Sequence, residues 1–176
     1  FGYGTEALSN ASTATITMAD ATSDGARAFY LKLTGALGQN CTVTLAPDTV
    51  SKIWIIENAT TDSGSSGPYS TIIKQGSGGG ASVTIPNGNV KVIVTDGGGS
   101  GAIVYDALTD VSLAGTTKAV TLSASTAIVP DTSGGADIGT ASLEWGDVYI
   151  ADDKQIKFGS GQDVTMEYDE DGTDTL

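Results

Sequence analysis

The five residues CTVTL, at positions 41–45, alternate between apolar and polar side chains. Because successive side chains of a strand point to opposite faces, this pattern predicts a β-strand with one buried face. A similar alternation occurs in FYLKL at positions 29–33, where Lys32 is among the outward residues. Together the two segments predict a sheet core that contains Phe29, Leu31, Leu33, Cys41, Val43 and Leu45.

Short segments rich in β-branched residues recur through residues 1–107, separated by clusters of Gly, Ser, Asn and Asp. We predict strands at residues 13–18, 28–34, 41–45, 52–57, 69–75, 81–85, 90–95 and 102–106. Asn87 and Gly88 lie between two alternating runs, which predicts a β-hairpin over residues 83–92. The whole pattern is typical of an antiparallel β-sandwich.

The charged residues of the 176-residue chain are 8 basic and 21 acidic, which gives a net charge of −13. Such a charge repels DNA and anionic lipid, so we expect neither nucleic-acid binding nor membrane insertion. The sequence has no histidine and one cysteine, Cys41, which excludes Ser-His-Asp and Cys-His catalysis, zinc clusters and an intrachain disulfide. We therefore predict no enzymatic activity, no cofactor and no metal site, and interpret Cys41 as a small buried hydrophobe.

Acidic residues are concentrated late in the chain, with 13 in residues 108–176 against 8 in residues 1–107. This shift predicts a globular sandwich domain over 1–107 and an extended acidic β-region over 108–176, a fibre shaft or connector. In the second region we predict strands at residues 111–113, 119–122, 127–129, 148–150, 155–158 and 164–168. Because large apolar residues are too few there for a monomeric core, we expect an intertwined homotrimer to cover them.

A family resemblance is carried by LTGAL at 33–37, CTVTLAP at 41–47 and IWIIENATT at 53–61. These segments resemble a β-domain found in tail-fibre and other virion proteins of tailed bacteriophages, and the likeness extends over about residues 28–107. In the second region, LEWGDVYIADDK at 143–154 and its flanks at 136–140 and 156–160 are similar to a segment that links shaft elements in phage tail fibres, especially of marine phages.

The resemblance implies a non-enzymatic, homotrimeric attachment or decoration protein of the virion. Its partners would be further copies of the chain and other tail, collar or capsid proteins, with a host glycan engaged through another region. We predict a trimeric tail or attachment fibre. A capsid decoration or head-fibre protein and a carbohydrate-binding module for host recognition remain the alternatives.

No residue is assigned a catalytic, cofactor-binding or metal-ligating role. Glu144 and Asp147 flank Trp145 as two glycosidase carboxylates flank a sugar platform, but they fall on opposite faces of an extended chain. We interpret Trp145 as a packing anchor between chains. Trp54 is predicted to lie in the core or at an interface, with a sugar platform as the alternative.

Two acidic turns and two glycine-rich segments resemble parts of known ion-binding loops. Residues 167–174 resemble the first half of an EF-hand loop, so a weak calcium site near Asp169 and Asp171 stays open beside a solvated turn. The segment GSGQD at 159–163 echoes a β-roll calcium repeat, but Phe158 replaces its first glycine, which predicts a tight turn. Residues 76–80 and 97–101 lack the lysine and helix of a phosphate-binding loop and are predicted to be flexible connections.

Overall fold

The computed structural model describes residues 2–64, 66–109, 111–113 and 116–167. Within these ranges the chain is all-β, and helix is limited to two three-residue 3-10 turns, Gly25–Arg27 and Gly99–Gly101. The chain divides into two compact units between Thr117 and Lys118. No helix in the described ranges has the length and apolar character needed to cross a membrane.

The described strands of the first unit belong to a five-stranded sheet, a four-stranded sheet and one short pair. They are β1 (Tyr3–Ala7), β2 (Thr13–Thr17), β3 (Tyr30–Thr34), β4 (Ala36–Leu37), β5 (Cys41–Ala46), β6 (Ser51–Asn58), β7 (Thr61–Asp62), β8 (Thr71–Gln75), β9 (Val83–Ile85), β10 (Val90–Asp96) and β11 (Val104–Asp106). The order is β1-β3-β6-β10-β11 in the five-stranded sheet and β2-β5-β8-β9 in the four-stranded sheet.

The chain winds repeatedly from one sheet to the other. Strands β1, β3 and β6 pair in parallel, and so do β2, β5 and β8, while β4 and β7 form a short parallel pair. Tyr3 lies opposite Tyr30, 27 residues later, and Tyr30 lies opposite Ile55, 25 residues later. Each pass therefore stacks on the previous one, as in the coils of a β-solenoid.

The two large sheets agree with the predicted β-sandwich, but the predicted antiparallel pairing is wrong for most of these strand pairs. Only the last three strands add antiparallel, β9 to β8, β10 to β6 and β11 to β10, and they close the winding at one end. Half-buried alternation is typical of antiparallel sheets, which favoured that prediction. Here the same alternation occurs in parallel strands, because each sheet has one face in the core and the other face turned outward.

The predicted hairpin over residues 83–92 is also wrong, because β9 and β10 belong to different sheets. Gly88 does adopt the positive φ of a turn, 75°. Its N–H donates to the Asn58 carbonyl at 2.8 Å, and the Asn58 N–H donates to the Asn89 carbonyl at 3.0 Å. The turn is thus bonded to the end of β6 and carries the chain between the two sheets.

The core lies between the inner faces of the two large sheets. Five of the six core residues predicted from alternation are confirmed as buried, Leu31, Leu33, Cys41, Val43 and Leu45. Phe29 is the exception and is 42% exposed, whereas Ala28 is 7% exposed. The reason is local: β3 begins only at Tyr30, after the turn Gly25–Arg27.

The described part of the second unit contains one hairpin, β12 (Gln155–Phe158) and β13 (Val164–Glu167), in antiparallel register. Strands at 155–158 and 164–168 were predicted there, and Tyr168 lies outside the described residues. At 111–113, 119–122, 127–129 and 148–150 the structure has no strand. Those segments are apolar in sequence but have no strand partner among the residues that the structure describes.

Candidate functional site

The outer face of the five-stranded sheet is rich in apolar side chains. Register places Val92 opposite Ile55, and places Val94 opposite both Ile53 and Tyr105, while their neighbours along each strand point into the core. We call this surface the apolar face. Its apolar members are Tyr3, Tyr30, Ile53, Ile55, Val90, Val92, Val94 and Tyr105.

Four members of the apolar face are strongly exposed, Tyr3 at 64%, Tyr105 at 51%, and Ile53 and Val90 at 49%. Isolated exposed apolar residues are ordinary, but neighbouring ones on one sheet mark an interaction surface. A contiguous surface of this kind is suited to contact with another apolar surface.

A polar network lies at one side of the apolar face. The rings of Tyr3 and Tyr30 stack with centroids 5.6 Å apart. The Tyr30 hydroxyl donates to Glu57 Oε2 at 2.9 Å, and Lys32 Nζ lies 3.2 Å from Glu57 Oε1. The hydrogen bond to Glu57 raises the pKa of Tyr30, while that bond and Lys32 lower the pKa of Glu57. Glu57 is therefore ionised at neutral pH and neutralised by Lys32.

The outer face of the four-stranded sheet is polar instead. Thr13 lies opposite Thr42 and Thr15 opposite Thr44, so the threonines form rows across β2 and β5. Lys74 continues the row of Thr15 and Thr44 onto β8. We call this surface the threonine face, and its hydroxyls suit contact with water.

Two buried polar side chains tie the coil corners together and were not predicted from sequence. Asn58 Nδ2 donates to the carbonyls of Tyr69 and Ile85 at 3.1 and 3.0 Å. Gln75 Nε2 donates to the Val50 carbonyl at 2.8 Å. Both stand where a strand ends, Asn58 opposite Leu33 and Gln75 opposite Leu45, and their role is structural.

Trp54 lies in the core, 1% exposed, which removes its ring from any sugar-binding surface. Lys52 Nζ lies 3.7 Å from the centre of that ring and donates to the carbonyls of Ala26, Arg27 and Ala28. Burial lowers the pKa of Lys52. The lysine therefore closes one end of the core and is not a free nucleophile.

Cys41 is buried, and burial raises the pKa of its thiol. A reactive cysteine needs a lowered pKa and access to solvent. The interpretation of Cys41 as a small core residue agrees with both observations.

In the second unit, Trp145 is 64% exposed and packs against Gly139, where an added Cβ would lie 2.8 Å from Trp145 Cδ1. Glu144 and Trp145 line one shallow surface depression, and Asp147 is not among its lining residues. Asp147 instead accepts a hydrogen bond from the Tyr149 hydroxyl at 3.4 Å.

The segment at 159–163 forms the turn between β12 and β13, where Gln162 N–H donates to the Gly159 carbonyl at 3.2 Å, so the predicted tight turn is confirmed. Asp169 and Asp171, the open calcium candidates, lie outside the described residues. In the ranges that are described, no three Asp, Glu or Cys side chains are grouped as metal ligands. The two glycine-rich segments pack on each other, with Gly78 N–H donating to the Ser100 carbonyl at 2.6 Å.

No protein-family model matches the chain, and no curated protein and no solved structure matches it either. The likeness to phage virion β-domains therefore rests on the segments quoted from the sequence. The surfaces of the two units carry the functional argument.

Proposed function

We propose that this chain is a non-enzymatic structural protein of a tailed-phage particle, most simply part of a homotrimeric tail or attachment fibre. The observation that carries the proposal lies in the second unit. Every large apolar side chain described from residue 118 to residue 167 is at least 43% exposed, and Val120, Ile138 and Tyr149 exceed 80%. A stable soluble protein rarely leaves that much apolar surface in water, so other chains cover it.

The mechanism is mechanical. Apolar side chains buried between copies would hold the second unit in a fixed conformation, and the first unit would supply a rigid β-solenoid. A net charge of −13 keeps the assembled rod soluble and repels the anionic surface of a bacterial envelope. Recognition of the host would then fall to a specific contact elsewhere in the particle.

Electron microscopy of labelled particles tests this assignment. Antibodies raised against the purified chain should decorate the tail or its fibres on intact phage particles. Label over the head surface would instead support the capsid decoration or head-fibre alternative. Purified particles that contain none of the chain by immunoblot would refute the virion assignment altogether.

A carbohydrate-binding module is the second candidate, favoured by the exposed stack of Tyr3 and Tyr30 beside Glu57. Sugars stack on aromatic rings, and their hydroxyls donate hydrogen bonds to carboxylates such as Glu57. A glycan array probed with the wild-type chain and with Tyr3→Ala distinguishes the two readings. Specific binding that Tyr3→Ala abolishes would support the module, and an array without signal would leave the structural role.

A further inference from the structure

We infer that the apolar face of the five-stranded sheet is an interface at which this chain packs against the same face of two further copies. The inference rests on the proposed trimer and adds which surface of the first unit forms it. The partner is argued from the composition of the strands, from charge and from area.

The two central strands of the sheet are apolar on both sides. In β6, the run IWII at 53–56 places Trp54 and Ile56 in the core and Ile53 and Ile55 on the apolar face. In β10, Ile93 is buried while Val92 and Val94 lie on the same outer face. Continuous apolar runs are characteristic of strands that are covered on both faces. No described segment of the first unit covers the outer one, since four of its members are about half exposed or more.

The threonine face is the internal comparison. It belongs to the same unit and is built from the same kind of coils, yet its outward positions from Thr13 to Thr44 are polar in β2 and β5, and Ile72 in β8 is an apolar exception. One sheet therefore has the surface of a solvated β-sheet, and the other has the surface of a sheet with a partner. Both sheets direct their inward side chains into the same core. The two outer faces therefore differ only because their outward residues differ.

The neutrality of the apolar face favours the same chain as the partner. The outward positions of β1, β3, β6, β10 and β11 carry one cation, Lys32, and one anion that faces outward within the sheet, Glu57, and these two form an ion pair. Asp96, at the end of β10, is turned away to accept from the N–H groups of Gly98 and Ile103. The face is thus neutral, whereas the whole chain carries −13. Like-charged copies repel one another except where a neutral apolar surface lets them meet.

The area of the apolar face fits one part of a larger interface between copies of the chain. Five strands about 4.8 Å apart, with outward rows about 20 Å long, give a face of roughly 500 Å². A standard interface buries about 800 Å² per partner. The apolar face alone supplies more than half of that.

Sedimentation of the full-length chain and of two charge variants tests the interface. Ile55→Lys places a charge at the centre of the apolar face, and Thr44→Lys places the same charge on the threonine face. The wild-type chain and Thr44→Lys should sediment as a trimer of about three times 17.7 kDa. Ile55→Lys should raise the concentration at which half of the trimer dissociates at least 100-fold.

A labelling measurement keeps the inference testable where Ile55→Lys fails to fold. Ile53→Cys and Thr15→Cys each add one exposed thiol to a chain whose own Cys41 is buried. In the assembled wild-type background, a maleimide should label Ile53→Cys at least tenfold more slowly than Thr15→Cys. Equal labelling rates, or a trimer that tolerates Ile55→Lys as well as Thr44→Lys, would overturn the interface while leaving the virion assignment to the labelling of particles.

A wild-type chain that sediments as a monomer at micromolar concentration would also overturn the inference. If such a monomer binds a glycan and Tyr3→Ala abolishes the binding, the apolar face is a ligand-binding surface instead of an interface. The immunoblot of purified particles remains independent of both results.

Discussion

Replacing Asn58 with leucine should destabilise the first unit by about 3 to 5 kcal/mol. The side chain is fully buried, and its amide serves three parts of the chain: the carbonyl of Tyr69, the carbonyl of Ile85 and the hydroxyl of Thr60, which donates to Asn58 Oδ1 at 2.7 Å. Leucine has the same branching and the same number of side-chain heavy atoms, although its methyl groups are bulkier, and it bonds to none of them. Each buried polar group left without a partner costs about 1 to 3 kcal/mol. Because the three groups are not independent, the expected loss lies near the lower end of the sum of their costs.

Urea unfolding followed by tryptophan fluorescence measures this loss. The chain has two tryptophans, so a Trp145→Phe background leaves Trp54, in the core of the first unit, as the only reporter. All variants should be compared at one protein concentration, because assembly adds to apparent stability. Asn89→Ala is the matched control: its exposed amide bonds only the Asn87 carbonyl, at 3.2 Å, and its loss should stay below about 0.5 kcal/mol. A loss below about 1 kcal/mol for Asn58→Leu would show that water reaches these groups and that Asn58 does not tie the corner.

Three further outcomes are expected. Trp145→Ala should weaken the trimer by about 3 to 5 kcal/mol per chain if its ring is buried between copies, while Trp54 fluorescence of the first unit stays unchanged; unaltered sedimentation together with lost binding to host cells would identify Trp145 as a receptor contact. The pKa of Glu57 is lower in the folded chain than its unfolded value of 4.5, so its stabilising effect is present above that value and is lost as pH falls through the folded pKa. The urea midpoints of wild type and Glu57→Gln should therefore differ at pH 7 and converge in acid, and a gap that stays constant with pH would exclude the ion pair as its source. Cys41 should react with Ellman's reagent only at the rate of unfolding, and rapid reaction in buffer would contradict its burial.

The positions of the core residues could be predicted from sequence, but the pairing of the strands could not. Leu31 and Val43 occupy inward positions whichever way their strands run, because alternation depends only on the strand itself. Direction depends on the connections, and here each connection between parallel neighbours passes through the other sheet. The repeat is hard to detect because matched positions differ: Ile16, Leu45 and Gln75 stack on one another in β2, β5 and β8.

The candidate site was partly hidden for a similar reason. Strand β1 was not predicted because its inward position opposite Leu31 is Gly4, so YGTEA lacks a large buried residue. The continuous run IWII in β6 is the sequence signal for the apolar face, because it places apolar residues at inward and outward positions alike. It predicts the burial of Trp54 and leaves Ile53 and Ile55 on the outer side.

The winding of the first unit also determines how its size can change during evolution. An insertion of about 25 to 30 residues, the spacing between stacked partners, would add one complete coil with its own inward and outward rows. Such a duplication lengthens the unit by about one strand spacing, roughly 4.8 Å, and leaves every existing strand except its new neighbours undisturbed. Strands β9, β10 and β11 close only one end of the stack, so a lineage could alter the reach of this unit in steps without redesigning its core.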